Sequence, residues 1–391
     1  MRRLSSSVLT LAFAQFVALA GHGYLYYGYE AKIFASYQIW LALVNILFPL
    51  IVSRNETRLI ASKKNIEFLA VAVSWSRNIA AVLILVVPFI ALYFFSISIT
   101  ITILAVLQAL ALALIHFAIH LIILEQSVFK ASILRSATIL LPPLSVVAFA
   151  SIYGANELNV LVFHFVTTLA LFLFMLVNNK NFRTSFVSGV GLPTIYKHDL
   201  LKSGGVAGIN SLARQLPLIF INTFQNSNIT ADFALVQRIY NSPLSIIGTV
   251  AADYLKKRYK QGQLVQIKTL FVISTLTINI LLFCALLFLM LVADQYIKIE
   301  RIDNLISLSL VIITPFLIRS VASPLSIILV LNDKFLKDMF FQVILIVATA
   351  LTFVFVETTQ AYINVFAIVT SIFYLIYGVV SFREISVGNN D

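Results

Sequence analysis

Charge is scarce in this sequence, and negative charge is scarcest. Of 391 residues, 16 are Asp or Glu and 27 are Lys or Arg, so charged side chains make up 11% of the chain. A soluble domain cannot cover its surface with so few. The single cysteine, Cys284, excludes a disulfide framework; lying alone in an apolar stretch, it is expected to serve packing. There is no glycine-rich phosphate loop, no nucleophile elbow, and no pair of carboxylates within reach of one another. These absences remove the common nucleotide-hydrolysing and acyl-transfer sites. No catalytic residue and no metal centre is expected.

What is abundant is apolar side chains. They form 60% of the chain, and the mean hydropathy is +0.98. These values define an all-α integral membrane protein. Apolar runs bounded by polar clusters predict twelve transmembrane helices, roughly over 6–27, 33–52, 67–95, 98–124, 131–152, 158–178, 203–224, 232–252, 264–293, 305–330, 339–357 and 362–381. Several exceed the ~20 residues that cross a bilayer, so tilted or protruding helices are expected.

The basic residues orient these spans. With the N-terminus in the cytoplasm, 20 of the 27 fall on the cytoplasmic side, in clusters such as Arg54–Lys64, Lys180–Lys202 and Lys256–Lys268. Only Lys32, Lys298 and Arg301 face the far side, and four more lie within spans. This asymmetry places both termini in the cytoplasm. It also accounts for most of the +11 net charge without any nucleic-acid partner. The start of the chain, Met1-Arg2-Arg3 followed by an apolar run and Ala18-Leu19-Ala20-Gly21, also fits a cleavable signal peptide. Gln15 and the continuation into Tyr24–Tyr29 favour an uncleaved first helix.

The longest polar connection, 179–202, divides the chain into an N-terminal six-helix bundle over 1–178 and a C-terminal one over 203–391, with a cytoplasmic linker between. The halves share a weak internal likeness. Ala14-Gln15-Phe16 and Phe34-Ala35-Ser36-Tyr37-Gln38 correspond to Arg214-Gln215-Leu216 and Phe233-Ala234-Leu235-Val236-Gln237, with Gln-to-Gln spacings of 23 and 22. An even number of spans per half makes the repeat parallel, which places a binding site between the bundles near the midplane.

Four arginines interrupt the apolar spans: Arg77, Arg214, Arg238 and Arg319. An arginine at the bilayer centre costs about 2.5–3.5 kcal/mol, so each must face a partner, water or a ligand. Four cations with almost no companion anions point to a cavity for a negatively charged substrate. Alternatively, some heads snorkel or bond backbone carbonyls. Asn210, Arg214 and Pro217 share one face of the seventh span, with Gln215 beside them. Arg238 and Asn241 share a face of the eighth, with Gln237 adjacent. His116 and His120 share a face of the fourth span, suited to metal binding or to interhelical hydrogen bonds. His22 and His164 stand alone and read as structural.

Certain stretches resemble a known family. Gly208-Ile-Asn-Ser-Leu-Ala-Arg214-Gln-Leu-Pro217 and Gln237-Arg238-Ile-Tyr-Asn-Ser-Pro243-Leu-Ser-Ile-Ile-Gly248 are similar to the start of the C-terminal half of Wzx-type oligosaccharide flippases. These belong to the multidrug/oligosaccharidyl-lipid/polysaccharide exporter superfamily. Arg319-Ser-Val-Ala-Ser-Pro324-Leu-Ser resembles that family's tenth helix. Ser53-Arg54-Asn55-Glu56 sits where members carry an Arg-Tyr-Glu element, with Asn55 in place of Tyr. The resemblance implies a MATE-like fold, with two six-helix bundles around a central cavity. It also implies a flippase that moves an undecaprenyl-diphosphate-linked oligosaccharide to the outer leaflet of the bacterial cytoplasmic membrane by alternating access, for O-antigen or capsule synthesis. Arg214, Arg238, Arg319 and Arg77 would neutralise the diphosphate, with Asn210, Gln215, Gln237 and Asn241 beside them; the Tyr24–Tyr29 cluster or Tyr240 would stack on sugars. A polysaccharide polymerase and a chain-length regulator are the implied protein partners, and no cofactor is implied beyond a coupling ion. The rival readings are a drug/cation antiporter of the same superfamily, which needs an intramembrane carboxylate, and a membrane polysaccharide polymerase, which needs a long outer loop.

The topology is directly testable. Reporter fusions after Lys63, Arg183 and Lys257 are expected to read cytoplasmic, and fusions near Lys32, Asn228 and Ile299 periplasmic. The same side for Asn228 and Lys257 would break the span assignment of the second half.

Overall fold

A bilayer leaves the backbone no partner but itself, so spanning segments must be helical. The computed structural model describes residues 2–53, 65–125, 128–187, 194–260, 264–297, 302–326, 328–329 and 334–387, and these contain helices and no strand. In chain order the helices are α1 (Arg2–Gly28), α2 (Ala31–Val52), α3 (Asn65–Phe95), α4 (Ile99–Glu125), α5 (Val128–Tyr153), α6 (Glu157–Asn178), α7 (Lys180–Val187), α8 (Thr194–Thr223), α9 (Ser227–Lys260), α10 (Leu264–Ile297), α11 (Ile302–Leu325), α12 (Phe335–Phe355) and α13 (Thr359–Val387).

Twelve of these coincide with the twelve predicted spans. The thirteenth, α7, is a short helix in the connection expected to be a plain linker, and α8 reaches back into that connection to Thr194. Among the described residues, nine helices are long and apolar enough to cross a membrane; α1, α7, α8 and α9 fall outside that set. By sequence α8 and α9 are the more polar long helices, with Lys197, Asp199, Lys202 and Arg214 in one, and Asp232, Arg238, Asp253 and Lys256 in the other.

The helices form two compact units, Met1–Thr223 and Phe224–Asp391. In the first, α2, α3, α5 and α6 all pack against α4, which is the most buried of the nine apolar spans. There α1 lies along α5, α7 on α3 and α8 on α2. In the second, α9, α10 and α13 pack against α11, and α12 packs on α13. The order of α2, α3 and α6 about α4 thus recurs as α9, α10 and α13 about α11.

Local chemistry sets the helix ends. Ser53 closes α2 in a left-handed conformation (φ 51°), and its N–H donates to Pro49 O at 2.9 Å. Asn156 caps α6 by accepting from the Asn159 N–H at 2.8 Å, and Glu157 in the first turn pairs with Lys32 at 2.9 Å. Asn226 caps α9 in the same manner, accepting from the Ile229 N–H at 3.1 Å.

The surface is apolar, as a bilayer requires. Leu85, Phe89 and Tyr93 form an exposed stripe along α3. Cys284, expected to pack, is exposed on α10, because in hydrocarbon a small apolar side chain gains nothing by turning inward. Polar groups are instead drawn inside the first unit. Gln108 donates to Thr168 Oγ1 at 2.9 Å, and Thr168 donates to His164 O at 3.0 Å. His164 Nδ1 meets the Tyr37 hydroxyl at 2.8 Å, and Gln38 Nε2 donates to His22 Nδ1 at 3.2 Å. The two histidines that stand alone in sequence are therefore joined through adjacent residues of α2.

Removing the buried hydroxyl in Tyr37→Phe leaves the His164 nitrogen without its partner and costs about 1–3 kcal/mol. Tyr24→Phe, at an exposed hydrogen bond to Ser151 (3.0 Å), is expected to change stability by no more than about 0.5 kcal/mol. Thermal unfolding of both variants in detergent compares them.

Candidate functional site

The α8 helix carries Arg214, and a seam with α2 fixes its rotation. Gly204, Gly208 and Ser211, spaced by four and three, form one stripe of α8. A Cβ at Gly208 would collide with the Leu50 side chain, and one at Gly204 with the Ser53 hydroxyl. Ser53 has little freedom to yield, since its Oγ donates to Leu50 O at 2.6 Å and accepts from Trp75 Nε1 at 3.0 Å. Glycine at these positions lets the two backbones approach closely. Further along the seam, Pro49 has no N–H to offer the carbonyl four residues back, that of Asn45. Ser211 Oγ supplies the missing donor to Asn45 O at 2.5 Å.

With α8 held in this way, Arg214 is exposed, and Asn210 and Gln215 are partly exposed. The Asn210 Oδ1 atom is itself enclosed and has no hydrogen-bond partner among the described residues. In the second unit, Arg238 is half-buried on α9, between buried Gln237 and half-buried Asn241. Arg319 is half-buried on α11, where its guanidinium lies over the rings of Phe316 (5.8 Å) and Tyr374 (6.0 Å). Such cation–π contacts contribute about 0.5–2 kcal/mol and hold the head in place. The expected site residues therefore divide between the units. Asn210, Arg214 and Gln215 belong to the first, and Gln237, Arg238, Asn241 and Arg319 to the second, on the packed pair α9 and α11.

Arg77 has a local partner. It is exposed on α3, its Nη1 donates to Phe186 O at 3.5 Å, and its guanidinium lies 5.7 Å from the Phe186 ring. It thus meets the end of α7, the helix found where a plain linker was expected. Tyr240 is fully buried against Phe283 (4.8 Å) and Phe316 (5.9 Å), which closes it to a sugar; Tyr24 and Tyr27 are exposed. The His116 and His120 rings lie 4.3 Å apart, tilted by 57°, with His120 Nδ1 2.9 Å from His116 O. Among the described residues, no three His, Cys, Asp or Glu side chains gather as a metal site.

Sequence reasoning missed two groups of residues. The His22–Gln38 and Tyr37–His164 pairs were hidden by long separations, although the adjacent polar pair Tyr37-Gln38 inside an apolar helix was a signal. Asp232 and Asp338 lie near helix starts, yet both are buried, and Asp338 accepts from the Tyr377 hydroxyl at 2.5 Å.

No family model matches the sequence, and no curated protein does. Solved structures match over nearly the whole chain. One is an inward-facing multidrug resistance MATE family transporter of the MOP superfamily, with a TM-score of 0.72 and 12% identity, covering 97% of this chain and 98% of that one. An outward-facing structure of such a transporter gives 0.66 and 11% identity, covering 98% and 96%. A MATE in the bent conformation gives 0.64 and 14%, also covering 98% and 96%. The chain is a multi-pass membrane protein with the MATE transporter fold.

Arg77→Ala removes the contact between α3 and α7. Faster deuterium exchange is expected across 180–187, with little change in α4. Unaltered exchange there would show that Arg77 does not hold α7.

Proposed function

We propose that this protein is a flippase for an anionic lipid-linked oligosaccharide, an undecaprenyl-diphosphate-linked repeat unit, working by alternating access in the bacterial cytoplasmic membrane with both termini in the cytoplasm. The observation that carries this reading is the placement of Arg214 and Arg238. They stand on α8 and α9, two long helices with polar residues among the apolar ones, and each has amide side chains beside it. A guanidinium presents a planar fork that matches two phosphate oxygens. Each such fork offsets phosphate charge and removes part of the cost of carrying it across the bilayer. Arg319, held by its aromatic neighbours, adds positive potential in the second unit. The six-helix halves at 1–178 and 203–391, the linker between them, a coupling ion, and a polymerase and chain-length regulator as partners belong to the same proposal.

Buried Asp232 and Asp338 favour a second reading, cation-coupled export of drugs, because a carboxylate in such a place can carry a coupling cation. The two readings separate in one strain. Loss of the flippase makes lipid-linked oligosaccharide accumulate in the inner leaflet, whereas loss of a drug exporter raises drug susceptibility and leaves surface polysaccharide intact.

Replacing Arg214 or Arg238 by Ala is expected to abolish surface polysaccharide while the protein remains abundant in the membrane. Lys restores export in part, since it keeps the charge and loses the fork. Glu is the most damaging, since it repels the substrate. Export and membrane abundance are measured together, and normal export by the Arg214→Ala, Arg238→Ala double variant would overturn the role.

A further inference from the structure

A fifth arginine lies inside an apolar span, and the proposed function leaves it unused. Arg135 stands seven residues into α5, within the stretch Phe129–Tyr153 that is apolar enough to cross a membrane. It is half-buried, and among the described residues no carboxylate pairs with it. The one acid of α4, Glu125, is exposed at the helix end and accepts from Asn181 Nδ2 at 2.7 Å. Where α5 packs on α4, Arg135 comes within electrostatic reach of both His116 and His120.

The two imidazoles are fixed by their surroundings. The His116 ring meets the Phe48 ring of α2 at 5.5 Å and 88°, and His120 Nδ1 donates to His116 O at 2.9 Å. With Nδ1–H engaged, Nε2 is the working nitrogen of His120. Neutral, it accepts from a P–OH group; protonated, it donates to a P–O⁻. At a rise of 1.5 Å per residue, the three side chains stand roughly 7–14 Å inside the Glu125 end of α4 and the Val128 start of α5. These are the ends that the basic clusters predict to face the cytoplasm. The group does not suit a metal, since a guanidinium repels a divalent cation and no third His, Cys, Asp or Glu joins the pair among the described residues. Snorkelling accounts for an arginine alone and leaves the adjoining histidines unexplained. A guanidinium fork beside two imidazoles is a donor set for an oxyanion with several acceptor atoms, and partial burial strengthens each contact.

We propose that Arg135, His116 and His120 form a phosphate site within the first unit, apart from Arg214 and Arg238, that takes the phosphorylated head of a lipid from the adjoining leaflet. The diphosphate of a prenyl lipid and the phosphodiester of a phospholipid share the oxygens that such a site reads, and inorganic diphosphate offers them without a tail. The site does not rest on the flippase reading, since a drug exporter with these residues would hold a lipid phosphate there equally.

The test uses the full chain, purified in detergent and carrying Arg214→Ala and Arg238→Ala, so that those two guanidinium groups contribute nothing to binding. Geranylgeranyl diphosphate, phosphatidylglycerol and inorganic diphosphate are titrated in parallel. One of the two lipids is expected to bind about tenfold or more tightly than inorganic diphosphate, and the tighter lipid identifies the source of the phosphate. Arg135→Gln is expected to weaken that binding by about tenfold or more. Arg135→Lys weakens it less, since it keeps the charge and loses the fork, and the His116→Asn, His120→Asn double variant weakens it independently. Arg183→Ala, which removes an exposed charge of α7, is expected to leave it unchanged. Thermal unfolding shows which variants fold; if Arg135→Gln does not, Arg135→Lys and the histidine variant decide. Binding indifferent to Arg135 and to the histidines would overturn the site, and inorganic diphosphate binding as tightly as both lipids would overturn the lipid head as its ligand. If the site binds as expected while deletion of the protein leaves surface polysaccharide unaltered, the flippase reading fails and the phosphate site stands.

Discussion

Hydrocarbon offers a peptide group no hydrogen bond, and the organisation of this protein follows from that constraint. It makes every long segment a helix and turns each exception into a point of contact. Pro49 breaks the ladder of α2 and leaves the Asn45 carbonyl open, and Ser211 of α8 closes it. One turn later Ser53 ends the helix, with its hydroxyl on Leu50 O, while Ser76 of α3 takes Ile51 O at 2.9 Å. The end of α2 is thus secured by side chains from two other helices, and one of them is the helix that carries Arg214.

The same constraint sorts the four arginines. Each must recover the cost of leaving water. Arg77 does so at a carbonyl and a ring at the end of α7, and Arg319 over Phe316 and Tyr374. These are contacts that hold a side chain within its own unit. Arg214 is exposed and Arg238 half-buried, each among amide side chains suited to a polar ligand. Charge that was uniform in the sequence becomes differentiated by its neighbours.

Much of the fold was legible because a bilayer imposes a one-dimensional rule. Length and apolarity alone located the twelve long helices, including α8 and α9 despite their polar residues. The rule is silent on what lies beside a helix. His22 and His164 looked isolated since their partners, Gln38 and Tyr37, are 16 and 127 residues away. Asp232 and Asp338 stand near helix starts, a position that usually meets water, and packing buried both. The short helix α7 escaped notice because eight residues are too few for a hydropathy pattern to mark.

Sequence by itself determined the class of the protein, the number of its long helices and the polar faces of α8 and α9, because the bilayer reads composition along the chain. Tertiary structure alone decided which helix each face meets. The clearest case is α8: repeat and connectivity assign it to the second half, yet it lies on α2. That choice depends on the fit of two glycines against Leu50 and Ser53, and on a carbonyl left open by a proline 162 residues before Ser211. Steric fit between distant residues leaves no periodic trace in a sequence, so only the folded chain could reveal it.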